Sequence, residues 1–181
     1  MHKALNMAAF PMNFPLQRIS ILFLILFLIG CVSQSVDTSP STPTSLPSTA
    51  GEAHATLIDF FELLNTKQYA EADALYGGNY EQLQVFSSDA DPADHATLWA
   101  NACELAGLQC LPVRTAIFEK LQGDTYFFQV EFSNPDGSLF VLGPCCGANA
   151  TEMPPVSQFE YRVTRNSNGK FVVMDLPPYV P

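Results

Sequence analysis

The chain has 181 residues, of which 8 are Lys or Arg and 18 are Asp or Glu, so its formal net charge is −10. This acidic balance argues against a nucleic-acid-binding protein, because such proteins need a basic surface to bind phosphates. Only 14% of the residues are charged and 14 residues are Phe, which excludes a charge-rich disordered chain and allows one folded domain with a substantial core.

The first thirty residues have the pattern of a secretory signal. Arg18 precedes an apolar run over 19–29 that is interrupted only by Ser20. As a helix this run would be roughly 17 Å long, too short to cross the hydrocarbon layer of a membrane, which is about 30 Å thick. A short apolar run after basic residues predicts a signal peptide over 1–30 that is removed on export.

The apolar run ends in Leu28-Ile29-Gly30-Cys31, which resembles the lipobox of bacterial lipoproteins. The resemblance implies that lipoprotein-processing enzymes attach a diacylglyceryl group to Cys31 and cleave the chain before it. It also implies a lipid anchor, with acyl chains such as palmitate, on the outer face of the cell membrane or in the outer membrane of a two-membrane bacterium. Two or three acyl chains anchor stably, since each buried methylene contributes about 0.8 kcal/mol.

The segment after the lipobox is rich in Ser, Thr and Pro. These three residue types make up 13 of the 19 residues over 32–50. Such a segment buries too little apolar surface to offset the entropy that ordering would cost. We therefore expect residues 31–51 to be a lipidated tether that holds a single domain, over 52–181, away from the membrane.

The domain begins with patterns typical of helices. Apolar residues recur at helical spacing over 55–76, and the polar residues 65–67 predict a break between two helices. Asp91 as N-cap, Pro92 at the first helical position and Asp94 three residues after the cap predict a third helix, which ends near Leu105.

The second half of the domain alternates apolar and polar residues, as strands do. The pattern predicts strands over 114–121, 125–132, 138–142, 158–164 and 171–176, with hairpin turns over 134–137 and 166–169. Helices followed by an antiparallel sheet imply an α+β fold in which the helices pack on one face of the sheet.

This order of elements, opened by the helix–corner–helix pattern over 60–76, resembles the nuclear transport factor 2-like superfamily. The resemblance covers about residues 54–176 and implies a curved antiparallel sheet that wraps the helices into a cone. Some members are exported bacterial proteins with no known chemistry, and others are isomerases or dehydratases with an Asp or His base at the mouth of the cone. No motif here assigns those catalytic residues to positions of this sequence.

Four cysteines lie in the predicted domain: Cys103, Cys110, Cys145 and Cys146. An even number of cysteines in an exported protein predicts two disulfides. Adjacent cysteines can pair with each other only through a strained eight-membered ring, so we expect both bridges to join the 103–110 segment to the 143–147 loop. A thiol redox centre or a metal site is the alternative, although the sequence has no Cys-x-x-Cys and so matches neither a zinc pattern nor a redox motif.

Acidic residues crowd around one histidine, at Asp89, Asp91, Asp94 and His95. Alternating oxygen ligands would suit calcium, but Pro92 interrupts the pattern and favours a helix cap on a solvated loop. Asp94 and His95 are neighbours on a helix and point about 100° apart, so they do not form an acid–base pair by themselves. His95 remains the one catalytic candidate, and the sequence predicts no metal and no cofactor.

Aromatic residues on the predicted sheet and helices allow two interpretations, core packing or an apolar ligand pocket. We expect the module to be non-enzymatic and to bind a small apolar ligand or a protein partner. The alternatives are an isomerase- or dehydratase-type enzyme with an acid–base residue in the cone, and a structural protein whose cone is filled. The candidate pocket residues are Tyr76, Trp99, Tyr126, Phe128 and Tyr161.

Overall fold

Residues 48–181 are described here by a computed structural model. The predicted signal peptide over 1–30, the lipidated Cys31 and the tether up to residue 47 lie outside the described residues. The structure therefore leaves these three features as predictions.

Helices come first along the described part of the chain, as the sequence predicts. α1 forms because its apolar residues recur every three or four positions and so share one side of the helix. All of these residues are buried against the rest of the fold: Ala50, Ala53, Leu57, Phe60, Phe61 and Leu64. The four helices are α1 (Ser48–Asn65), α2 (Tyr69–Asp73), α3 (Glu81–Phe86) and α4 (His95–Glu104).

The predicted corner between the first two helices is confirmed, and it has a defined hydrogen-bond pattern. The Gln68 amide donates to the Leu63 carbonyl at 2.8 Å, and the Lys67 amide donates to the Leu64 carbonyl at 3.1 Å. Lys67 has a φ of 62°. This is a Schellman motif in which a lysine takes the left-handed position that glycine usually occupies.

A four-stranded antiparallel sheet follows the helices, so the predicted α+β class is confirmed. The sheet is open, and its strands lie side by side in chain order. In the central pair, Phe128 of the second strand lies opposite Tyr161 of the third. The strands are β1 (Val113–Gln122), β2 (Thr125–Phe132), β3 (Phe159–Arg165) and β4 (Phe171–Val173).

The core lies between α1 and one face of the sheet. α1 contacts all four strands, and every second residue of β2 is buried beneath it. The ring of Phe61 packs edge-on against Phe132 and Tyr161, with centroids 4.8 Å and 5.0 Å away. The core face of this strand carries four buried apolar residues: Tyr126, Phe128, Val130 and Phe132.

The predicted strand over 138–142 does not form, although the turn before it does. The Gly137 amide donates to the Asn134 carbonyl at 2.8 Å, and the returning chain bonds β2 once, from the Phe140 amide to the Phe132 carbonyl. Farther along, β3 occupies this edge of β2 over 125–130. The returning segment therefore has no free edge of β2 to follow. It forms one isolated bridge at the end of β2 and one with the segment before β3, and then leaves the sheet.

The helix boundaries also differ from the prediction. The N-cap of α4 is Asp94, whose carboxylate accepts hydrogen bonds from the Thr97 amide and hydroxyl at 3.2 Å and 2.7 Å. Asp91 instead caps a turn by accepting from the Ala93 amide at 2.9 Å. In addition, α1 begins at Ser48, inside the predicted tether, and the sequence analysis did not predict α3.

Within residues 48–181, no helix combines the length and the apolar character that spanning a membrane requires.

Candidate functional site

The first cavity lies where the ends of α1 and α4 meet the segment that leads to β1. Its volume is about 520 Å³, within the range of about 300–1,000 Å³ that is usual for small-molecule sites. We call it the disulfide cavity, because Cys103 and Cys110 form part of its wall. Its other lining residues are Leu64, Asn65, Lys67, Tyr69, Glu104, Leu105, Gly107, Leu108, Gln109 and Leu111.

Polar groups meet at one end of the disulfide cavity. The Lys67 ammonium lies 3.1 Å from the Glu104 carboxylate, which also accepts a hydrogen bond from the Tyr69 hydroxyl at 2.9 Å. The hydrogen bond from Lys67, followed by that from Tyr69, holds the pKa of Glu104 below its usual value. Burial, with the neighbouring carboxylate, raises the pKa of Tyr69 to about 12. At neutral pH the cavity therefore presents the Glu104 carboxylate and the neutral Tyr69 phenol beside the Lys67 side chain.

One disulfide closes the wall of the cavity, and it is not one of the bridges expected from the sequence. Cys103, in the last turn of α4, pairs with Cys110, with Cα atoms 5.6 Å apart. The chain reverses at Gly107, whose φ is +94°, and this reversal brings Cys110 back to the end of the helix. The expected bridges to the 143–147 loop are therefore absent.

The C-terminal segment supports this reversal. The Val180 amide donates to the Gly107 carbonyl at 3.0 Å, and the Gln109 amide donates to the Pro178 carbonyl at 2.7 Å. A Cβ atom on Gly107 would lie 2.1 Å from the Val180 carbonyl oxygen. The close approach of the two backbones thus requires glycine at this position.

Cys145 and Cys146 are both free thiols, and their Sγ atoms lie 2.7 Å apart. They border a second cavity of about 500 Å³, which we call the loop cavity. The predicted sharing of disulfides among all four cysteines is thus replaced by one bridge and one pair of adjacent thiols. The loop cavity is lined by Gln109, Val180, Pro181 and the segment 140–146.

His95 finds an acidic partner, but the partner is not Asp94. The His95 Nδ1 atom lies 3.3 Å from one carboxylate oxygen of Asp73, and the Tyr80 hydroxyl donates to the other oxygen at 2.5 Å. The Tyr80 ring stacks on the imidazole, with centroids 3.7 Å apart. Burial, together with the hydrogen bond to Asp73, raises the pKa of Tyr80 well above its usual value. These three residues line neither the disulfide cavity nor the loop cavity.

The five aromatic residues proposed from the sequence to line a pocket lie in the buried core. Trp99 packs edge-on against Phe60 and Tyr76, with centroids 5.6 Å and 5.0 Å away. Its indole Nε1 has no hydrogen-bond partner among the described residues. The packing interpretation thus accounts for all five, none of which lines either cavity: Tyr76, Trp99, Tyr126, Phe128 and Tyr161.

The acidic loop holds no ligand cluster. Among residues 48–181, no group of three or more His, Cys, Asp or Glu side chains is arranged to hold a metal ion. Asp91 and Asp94 are instead engaged in capping the turn and helix α4. Cys31, the predicted lipidation site, lies outside the part of the chain that the structure describes.

Sequence reasoning did not find the polar end of the disulfide cavity. Lys67 and Glu104 are 37 positions apart, and no local spacing connects them. Asp73 and Tyr80 are separated by the Gly77-Gly78 pair, so neither helical nor strand periodicity places them together. The one available signal was the polar break over 65–67, which marks where α1 ends.

Compared with models of known protein families and with curated proteins, the sequence matches none.

Proposed function

We propose that this chain is a lipid-anchored, exported protein whose folded part binds a small, largely apolar ligand in the disulfide cavity without chemically changing it. The lipobox ending in Cys31 supports the anchor. The paired Cys103 and Cys110 support an oxidising compartment, because disulfides persist outside the reducing cytosol. We place the protein on the outer face of the cell membrane, or in the outer membrane of a two-membrane bacterium.

The observation that carries the binding function is the composition of the disulfide cavity. Four leucines form the apolar part of the wall. One ion pair lies at one end, and a tyrosine hydroxyl donates a hydrogen bond to its carboxylate. Ligand sites combine apolar walls with a few placed polar groups, and in this cavity polar and apolar residues share the lining about equally. Such a cavity suits a compact ligand with an apolar body and one hydrogen-bonding end.

The resemblance to the nuclear transport factor 2-like superfamily belongs to the same proposal. Helices packed on one face of an antiparallel sheet support it. We propose a domain of that kind in which aromatic side chains fill the interior, so that binding occurs at the end of the helical layer. A protein partner would use the same rim, where Leu105 is 81% exposed.

The test uses a neutral fluorescent probe, N-phenyl-1-naphthylamine, and residues 43–181 secreted through an oxidising compartment. Leu105→Lys places a charge at the cavity rim. At the C-terminal end of α4 a lysine is tolerated, because it complements the helix dipole. Val85→Lys is the matched control, because Val85 is 78% exposed in the last turn of α3 and lines neither cavity.

We expect saturable binding to the wild type, weakened about tenfold, or about 1.4 kcal/mol, by Leu105→Lys and unchanged by Val85→Lys. Absence of saturable binding, or equal loss in both variants, would contradict a site at the disulfide cavity. Equal melting temperatures of the two variants would show that the difference is not caused by unfolding.

A second candidate function is acid–base catalysis of the isomerase or dehydratase type. The contacts of the Asp73 carboxylate with both His95 and Tyr80 favour it, since such a triad orients an imidazole for proton transfer. Exchange of the α-hydrogens of small cyclic ketones in D₂O, followed by NMR, tests it. Exchange that is lost in His95→Gln and in Asp73→Asn would establish an enzyme, whereas equal rates in all three proteins support the binding function.

A further inference from the structure

The loop over 143–147 brings two adjacent thiols unusually close. The Sγ atoms of Cys145 and Cys146 are 2.7 Å apart. This is within about 0.7 Å of a covalent bond between sulfurs, which is about 2.05 Å long. The other two cysteines of residues 48–181, Cys103 and Cys110, are already joined to each other in a disulfide.

The backbone at the pair has the conformation of a constrained site. Cys146 has a φ of 59° and is followed by Gly147 at 88°. Among the described residues other than glycine, only Lys67 also has a positive φ. A non-glycine residue is rarely held there unless its surroundings impose it, and such residues cluster at functional sites.

We propose that Cys145 and Cys146 are a redox-active pair, which closes into a vicinal disulfide by exchange with an external disulfide. The Cys146 thiolate bonds to one sulfur of that disulfide and expels the other as a thiolate. Cys145 then loses its proton, bonds to the Cys146 sulfur and expels the second thiolate. The two cysteine protons end on the two released thiols, so one external disulfide is reduced as the pair is oxidised.

Exposure sets this order of attack. Cys146 is exposed, so an external disulfide can reach it, whereas Cys145 is half-buried. Hydrogen bonding to Cys146 raises the pKa of the Cys145 thiol, which disfavours Cys145 as the first nucleophile. Cys146 is therefore the attacking thiol, and Cys145 resolves the intermediate.

The ring that forms is easily reduced again. Neighbouring Cα atoms are about 3.8 Å apart, below the range of about 4.4–6.8 Å that relaxed disulfides adopt. Strained and exposed disulfides are the labile ones. Because both cysteines line the loop cavity, the redox state of the pair changes one wall of that cavity.

Tryptic peptides separate the two cysteine pairs without ambiguity. Cleavage after Lys67 and Arg114 places Cys103 and Cys110 together in peptide 68–114, and cleavage after Lys120 and Arg162 places the other pair in peptide 121–162. The full-length chain is treated with oxidised glutathione, quenched with acid, labelled with N-ethylmaleimide and digested. None of these steps depends on export or on a cavity ligand, so the result is independent of the proposed function.

We expect peptide 121–162 to be about 2 Da lighter than its dithiol form and to carry no label, since ring closure removes two hydrogens. In graded dithiothreitol its label should appear at a reductant concentration at least about tenfold lower than in peptide 68–114. Cys145→Ser should stop the reaction at a glutathione adduct on Cys146, and Cys146→Ser should accumulate little adduct.

Three results would overturn the proposal. The first is two labels on peptide 121–162 after oxidation, which would mean that the ring does not close. The second is a lasting glutathione adduct in the wild type, which would mean that Cys145 does not resolve it. The third is a disulfide-linked pair of peptides 68–114 and 121–162, which would mean that the cysteines pair across the domain.

Discussion

The polar end of the disulfide cavity is assembled from single residues that lie far apart in the chain. Lys67 follows α1 in a left-handed conformation, Tyr69 begins α2, and Glu104 ends α4. The sequence predicts the helix ends but not that these ends meet, because only packing brings α1 and α4 together. The sequence therefore predicts part of the cavity's framework but none of its polar site.

The disulfide of Cys103 and Cys110 should stabilise the domain measurably. Their sequence separation is 7, and closing so short a loop stabilises a protein by about 2 kcal/mol in the chain-entropy model. Changing both cysteines to serine should lower the free energy of unfolding by this amount, measured by urea denaturation of residues 43–181. The same change at Cys145 and Cys146 is the control and should cost less. An unchanged urea midpoint for the first variant would contradict the bridge.

Tyr76 should make the domain sensitive to alkali. Burial, and then the negative charge of Asp175, raise its pKa to about 12, whereas in the unfolded chain it ionises near its ordinary value of about 10. Between pH 10 and 12 only the unfolded state releases this proton, so the free energy of unfolding falls as the pH rises.

Tyr76→Phe isolates this contribution, because it removes the titrating hydroxyl and keeps the ring. The variant also loses the hydrogen bond to the Asn79 carbonyl, so we expect it to be about 1 kcal/mol less stable at neutral pH. Urea midpoints measured from pH 8 to pH 12 should nevertheless decline less steeply for the variant. Parallel decline in both proteins would contradict a raised pKa at Tyr76.

Among the strands, the error of prediction comes from competition for a partner strand. The segment 138–142 has the alternation of a strand and follows a correctly predicted turn, but β3 already occupies most of that edge of β2. Local pattern specifies which side of a segment faces the core, and it does not specify which neighbour takes the available edge. The strands predicted over 125–132 and 158–164 form because each has a buried face.

The start of α4 allows a test of which aspartate caps this helix. The sequence predicts Asp91 as the N-cap, whereas the structure gives this role to Asp94. Asp94→Ala should cost about 1 kcal/mol of stability, as the loss of an N-cap does. Asp91→Ala should cost under about 0.5 kcal/mol, since it affects an exposed turn. Urea denaturation of the two variants measures both losses in the free energy of unfolding. A larger loss for Asp91→Ala would contradict the observed cap.

The C-terminal segment of the domain is held in place by contacts with a distant part of the chain. Residues 178–180 run beside the reversal at Gly107, and this segment also lines the loop cavity. The prolines over 177–181 lack the amide hydrogen that strand pairing needs, which agrees with the end of the sheet before them. They did not predict this contact, because no pattern in a sequence reports where a chain terminus returns.

Gly107→Ala tests this contact, with Gly137→Ala as its control. Both glycines have positive φ, which costs an alanine about 1 kcal/mol, but a Cβ at Gly137 has no atom within 4 Å. At Gly107 the new methyl would also displace the Val180 carbonyl, so we expect a loss of about 3 kcal/mol against about 1 kcal/mol for the control. Thermal unfolding followed by circular dichroism measures both. Equal losses would show that the C-terminal segment contributes nothing at this point.

The measurement that tests the central claim most directly locates the ligand. Leucine and valine methyl groups of residues 43–181 are labelled with ¹³C, and N-phenyl-1-naphthylamine is added while their NMR shifts are followed. A site at the disulfide cavity predicts saturable shifts at Leu105, Leu108 and Leu111, with Val130 and Val163 of the sheet core unmoved. Shifts centred on the two valines, or no saturable shift at any methyl, would contradict it.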